Sequence, residues 1–215
     1  MTSTVPSPAP APRAQTRQHM LEVAERLFAE HGLEGVSLRS VGQAAGQRNN
    51  SAAQYHFGTR DGLVGAIVAE RSTPVEERRG ALLDAMQRTP SADPLADLVR
   101  CFVAPLAELA AAASPENPSW YLRFLAQLVA LRGGHAAAEL ATRPTQIRRL
   151  EGALRTELPE LDDATFARRM RWLAQTATRT LADQEREATE GTLDVATEQL
   201  VSELVTMLTA LLRAA

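Results

Sequence analysis

Beyond about residue 59, apolar residues return every three or four positions, and no stretch alternates apolar and polar residues for long enough to form a strand. Two stripes are clearest. Phe166, Met170, Leu173, Ala177 and Leu181 form one, and Leu193, Leu200, Leu204, Met207, Leu208 and Leu211 form the other. Each predicts an amphipathic helix with one face to bury. Asp93-Pro94 and Asn117-Pro118 are pairs of a capping residue and a first-turn proline. They predict helices from about Pro94 to Ala113 and over SWYLRFLAQLVALRG, the latter ended by Gly133-Gly134. Further helices are predicted from about Pro144 to Leu158, from Asp162 or Asp163 to about Thr189, and from Leu193 onward after the break at Gly191-Thr192. Thr59 can cap a helix that Pro74 interrupts, removing the bond to the Glu70 carbonyl and predicting a kink or break there; Pro105 predicts a bend in its own helix. The fold class expected is all-α.

The N-terminal part is patterned differently. A helix is predicted from about Ala14 to His31, ended by Gly32, and is followed by SLRSVGQAAGQRNNSAAQYHFGTRDGL. Ser37 can cap a helix beginning at Leu38, with Val36 and Val41 as its hydrophobic staple. Val41, Ala44 and Ala45 supply a small apolar face, and Gly46 stands where a helix needs a residue of positive φ to stop. Gly42 inside this helix costs about 1 kcal/mol relative to alanine, which a close helix–helix approach explains. Asn49 or Asn50 can cap the next helix. That helix exposes Asn50, Ser51, Gln54 and Tyr55, while Ala52 and Ala53 keep it slim. Asn and Gln amides near the N-terminus of a slim helix suit the major groove, where they can pair bidentately with adenine. Short helix pairs also occur in all-α proteins that never touch DNA, so spacing alone leaves both readings open.

The motif Ala44-Ala45-Gly46, a polar turn, Tyr55-His56-Phe57, a small residue and Thr59-Arg60-Asp61-Gly62-Leu63 resembles the DNA-binding domain of the TetR (tetracycline-repressor) family over about residues 13–70. The resemblance implies that Arg39 contacts a base from the first helix of the pair. It places Asn50, Ser51, Gln54 and Tyr55 on the groove face of the recognition helix and His56 and Arg60 on phosphates, with Phe57 plugging the small core. Ser37, Asn49 and Thr59 belong to the same interface, and Arg13 and Arg17 add contacts from the N-terminal arm. This chain departs from the commonest family pattern in three ways. Gly46 to Phe57 is one residue longer, Gln54 stands where Tyr is usual, and Arg60 replaces Lys, which alters the phosphate geometry. The organisation implied is a helix-turn-helix domain at 13–58 and a larger helical domain at 59–215 for ligand binding and dimerisation, with residues 1–12 a flexible Pro/Ala-rich tail.

Composition narrows the alternatives. A chain of 215 residues is long enough for a sizeable core, and 45% hydrophobic with 23% charged residues is ordinary for a globular protein. All 23 basic residues are arginine, so a Walker-type lysine and a Schiff-base lysine are both excluded. Residues 13–60 carry six Arg against four Glu, while the chain as a whole has a formal charge of −3. A weakly basic head needs doubling in a dimer and specific contacts, and the overall charge argues against an indiscriminate nucleic-acid coat. No apolar run reaches the ~20 residues of a membrane span. Four prolines by residue 12 and no apolar core argue against a signal peptide, and the single cysteine forms no internal disulfide; the cytoplasm is the expected compartment.

Phe102, Trp120, Tyr121, Phe124 and Trp172 can line an apolar cavity between the middle helices, with Arg123, Gln127, Gln175 and Arg179 as polar anchors. Aromatics at helical spacing are more often core, so the ligand rests on the family resemblance. An amphipathic acid or a flat aromatic would suit such an anchor. Cys101 lies in an apolar helix and reads as a small buried hydrophobe, and His135 has no partner at metal-ligand spacing. No catalytic or metal-binding constellation stands out and no cofactor is expected; the chain is not read as an enzyme. The function expected is a ligand-responsive transcriptional regulator, a repressor that binds palindromic operator DNA as a homodimer and is released by a small-molecule effector. An architectural, sequence-tolerant DNA-binding protein without effector is the alternative.

Overall fold

The structure is a computed structural model that describes residues 12–47, 49, 51–89, 92–131 and 145–214. All the regular structure among them is helical. The chain divides into two compact units, the first ending at Ile67 and the second beginning at Val68.

The first unit holds α1 (Pro12–His31), α2 (Leu38–Ala44), α3 (Ala52–Phe57) and the opening turns of α4 (Arg60–Arg88). On α1, Met20, Ala24 and Phe28 recur every fourth residue and are fully buried; α2 packs on both α1 and α3. Val36 and Val41, the two ends of the predicted staple, are both buried. Leu63, Val64 and Ile67 on α4 are buried as well, and these turns belong to the first unit. The compact division therefore falls later than the boundary expected after residue 58.

The second unit comprises the rest of α4 with α5 (Pro94–Ala111), α6 (Tyr121–Ala130), α7 (Thr145–Glu157), α8 (Asp163–Glu190) and α9 (Thr197–Arg213). Helix α5 touches α6, α7, α8 and α9 and is buried on most of its faces, which is how an apolar helix at the centre of a bundle reads. Asp93 caps it by accepting from the Ala96 N–H at 3.1 Å, and Arg213 at the end of α9 closes on the same carboxylate at 2.6 Å. Helix α8 packs on α6 and α9, burying Leu173, Ala177 and Leu181; α9 buries Leu204 and Leu208.

Three expectations need correction. Pro74 does not break its helix: α4 runs unbroken from Arg60 to Arg88, with Pro74 exposed and Thr73 Oγ1 donating to the Ala69 carbonyl at 3.1 Å. Asn117 does not cap α6. Its N–H and side-chain amide are engaged by Ser114 and by the Ala112 carbonyl, holding a turn, and α6 begins only at Tyr121. Helix α9 begins at Thr197 rather than Leu193, because the Val195 carbonyl before it is held by the Gln184 side chain. Gly133-Gly134 and His135 lie outside the described residues.

Candidate nucleic-acid interface

The reading surface is built by a local code that the structure carries out. Ser37 caps α2 with a reciprocal box: its Oγ accepts from the Ser40 N–H at 3.0 Å, and Ser40 Oγ accepts from the Ser37 N–H at 3.0 Å. Gly46 ends the helix at φ 68°, and the Gln47 N–H bonds the Gly42 carbonyl at 2.9 Å. After the turn, Asn49 Oδ1 accepts from the Ser51 N–H at 2.9 Å, so Asn49 supplies the side-chain bond at the turn into α3. Asn50 lies outside the described residues.

Behind α3, Ala53 and Phe57 are buried; in front, Ser51, Gln54 and Tyr55 are exposed, Tyr55 at 72%. A tyrosine this exposed beside a buried phenylalanine is a large apolar area left in water, which a ligand surface can use. His56 is half-buried, edge-on to Tyr55 with ring centroids 5.3 Å apart. Arg39 and Gln54 face one groove together with Ser37 and Arg60, so α2 and α3 present one surface. Glu34 lies in the same groove, an acidic neighbour that the sequence reading did not single out.

Two expected phosphate or arm contacts are partly committed inside the unit. Arg60 Nη1 donates to the Leu33 carbonyl at 3.1 Å, and the Arg17 guanidinium lies 5.4 Å from the Phe57 ring centroid. Arg13 is exposed near the start of α1. Thr59 caps α4, its Oγ1 accepting from the Gly62 N–H at 3.0 Å, which places the positive end of a 29-residue helix beside this surface. Gly62 is required there: a β-carbon would stand 2.3 Å from the Phe57 carbonyl oxygen.

In the second unit the nine expected pocket residues divide. Phe102, Tyr121 and Phe124 are buried, with Tyr121 and Phe124 ring centroids 6.2 Å apart. Gln127 and Gln175 are half-buried. Arg123 lies over Trp120, its guanidinium 5.7 Å from the ring centroid, and faces Glu185 at 3.5 Å. Trp172 and Arg179 do not join this group. Trp172 is 44% exposed under Arg168, and Arg179 is exposed and paired with Asp183. Helix geometry explains it: each residue advances about 100°, and the buried stripe through Leu173, Ala177 and Leu181 leaves positions 172 and 179 on another face.

The sequence reading missed Glu185. This carboxylate is fully buried on α8 and accepts from the Ser119 hydroxyl at 2.7 Å, the Leu122 N–H at 3.0 Å and the Arg123 N–H at 3.2 Å. It is the cap of α6, supplied from 63 residues away. No local signal could have found it, although an acidic residue inside an apolar helix stripe was a place to look.

Comparison with known proteins gives two family matches. The family described as bacterial regulatory proteins, tetR family, matches residues 20–67, and the family described as tetracyclin repressor-like, C-terminal domain, matches residues 100–210, just over half of the chain. The HTH-type transcriptional repressor AcnR of Corynebacterium glutamicum is 39% identical over 62 residues, which are 29% of this chain and 32% of that protein. The match therefore spans about a third of the curated relative. Among solved structures, HlyIIR, a hemolysin II transcriptional regulator, aligns with a TM-score of 0.58 at 15% identity, over 92% of this chain and 98% of that one. AibR, in a complex with isovaleryl coenzyme A and operator DNA, aligns with a TM-score of 0.51 at 17% identity, over 89% of this chain and 97% of that one.

Proposed function

From a chain that belongs to the TetR family of bacterial regulatory proteins, and is therefore a regulator in a family that is not one of enzymes, we propose a repressor that binds palindromic operator DNA as a homodimer and is released by a small-molecule effector. The observation that carries the DNA reading is the single surface on which Arg39 and Gln54 meet, with Ser51 and Tyr55 exposed on the same short helix. Gln54 offers an amide for adenine and Arg39 a guanidinium for guanine, while Arg60, His56 and the capped start of α4 hold the backbone. A head whose charge is only weakly positive needs these contacts twice, and a palindrome supplies two half-sites to a twofold dimer.

The partner surface proposed lies on α8 and α9, where Trp172 and Met207 remain 44% and 48% exposed. Effector binding within the second unit favours a form that fits the operator poorly. AcnR, a repressor by name, is similar to this chain over about a third of its own length, and AibR was captured with both isovaleryl coenzyme A and operator DNA; both support the reading. No described helix is long and apolar enough to cross a membrane, in keeping with a regulator that acts on DNA in the cytoplasm.

Selection of bound duplexes from a random pool by the purified protein tests this. An inverted repeat is the expected result. Recovery of no motif, with binding that vanishes at moderate salt, would replace the regulator by an architectural DNA-binding protein.

A further inference from the structure

Among the described residues, two buried side-chain nitrogens have no hydrogen-bond partner, Nε of Arg79 and Nε of Arg123, both in the second unit. Arg169 donates Nη1 to the Leu212 carbonyl at 2.7 Å, and Glu185 receives three donors. Arg123 Nε makes no hydrogen bond but has a carboxylate oxygen of Glu185 3.5 Å away. Arg79 is different. It lies on α4 at 3% exposure, its Nη1 pairs with Glu76, and its buried Nε–H meets no acceptor. An unsatisfied buried donor on a cation carries a free-energy cost that a bound acceptor would relieve. The guanidinium is 5.7 Å from the Phe102 ring centroid on α5, with Tyr121 on α6 and Cys101 nearby. Burial pushes it below the usual arginine range while Glu76 opposes that, and arginine stays protonated in either case.

Glu76 is also committed elsewhere. Its second oxygen accepts from the Ile147 N–H at 3.1 Å, at the start of the 13-residue helix α7. Helices α4, α5, α6 and α7 thus meet around one buried cation with one open donor and an aromatic wall. A guanidinium takes two carboxylates on different edges, and the positive end of α7 lets Glu76 keep its place when a second anion arrives.

We propose that Arg79 anchors the carboxylate of the effector, which is a small amphipathic acid whose apolar body lies along Phe102 and Tyr121. This rests on the regulator reading for the existence of an effector and names its chemistry. It replaces the anchors expected from the sequence, because Arg123 is engaged by Trp120, Glu185 and the Ser119 carbonyl, and Arg179 is exposed.

The test is thermal unfolding of the full-length protein with octanoate, benzoate and 4-phenylbutyrate, each beside its primary amide. At least one acid is expected to raise Tm by several degrees, and its amide to leave Tm unchanged. Arg79→Gln is expected to weaken that acid about tenfold or more, whereas Arg186→Gln, at a half-buried residue of α8 paired with Asp183 and Glu190, leaves it intact. Glu76→Gln keeps an acceptor for the Ile147 N–H and frees the guanidinium, so the acid should bind more tightly. No shift with any acid, equal shifts with the amides, or an unchanged response in Arg79→Gln would each overturn the assignment. Should Arg79→Gln fail to fold, Glu76→Gln decides: affinity unchanged or lower overturns it. The DNA selection is read separately, so a protein that recovers an inverted repeat yet ignores the acids defeats the anchor and leaves the regulator standing.

Discussion

At Gly42 the expected reason for glycine is not the observed one. A β-carbon there would lie 3.9 Å from the Ala53 β-carbon, an ordinary contact, so close packing does not demand glycine. Gly42→Ala is expected to stabilise the head by up to about 1 kcal/mol, read as a higher urea midpoint, because a helix-interior glycine costs that much. A lower midpoint would show that α2 and α3 move closer together than this. On the DNA face, Gln54→Ala should cost about 1–3 kcal/mol at particular base pairs. Arg60→Ala should weaken all sequences alike and flatten the salt dependence. Competition binding across operator variants separates the two, and wild-type behaviour in both would remove this surface from the interface. Cys101 is buried, and burial, helped by Asp97, pushes its thiol up to about 11. At pH 8 only about one thiol in a thousand is then ionised, so an aromatic disulfide reagent should react with the native protein far more slowly than with the unfolded chain. Equal rates would mean the thiol is accessible.

Capped helices here begin in two ways. α2, α4, α5 and α8 are started by their own neighbours, through Ser37, Thr59, Asp93 and Asp162, whose side chains accept from N–H groups three residues on. Local caps of this kind can be read from spacing because donor and acceptor are fixed by the same turn. α6 is started instead by Glu185 from α8. Glu185→Ala strips that cap, leaves amides without an acceptor and removes the partner of Arg123. A loss of about 3–5 kcal/mol is expected in chemical denaturation. A loss below 1 kcal/mol would show that water or a neighbour caps α6 in its place. Glu185→Gln, which keeps an acceptor, should lose less.

For the whole molecule, the proposed homodimer is the property to test. The stripes that predict α8 and α9 are largely used inside the chain, since Leu173, Ala177, Leu181, Leu204 and Leu208 are buried in the single protomer. Trp172 on α8 and Met207 on α9 are large side chains that the single protomer leaves in water, and they are the ones the proposed dimer would cover. Light scattering is expected to give twice the chain mass, and Trp172→Arg with Met207→Arg to give a monomer that keeps its helical spectrum but loses operator affinity steeply. A wild-type monomer at micromolar concentration would leave the palindrome without a twofold reader.

Sequence by itself determined the all-α class, the capped and glycine-ended helices of the head, and the exposure of Ser51, Gln54 and Tyr55 at its slim third helix. These follow from interactions within one or two turns, where spacing fixes geometry. Only the tertiary structure decided that α4 runs on past Pro74, that the start of α4 belongs with the head, that α8 rather than Asn117 caps α6, and that Arg79, a cation with an open donor, is buried against Phe102. Each of these depends on which distant helix face arrives beside the residue. Periodicity along one helix gives the direction a side chain takes, whereas the identity of what it meets belongs to the packing of the bundle.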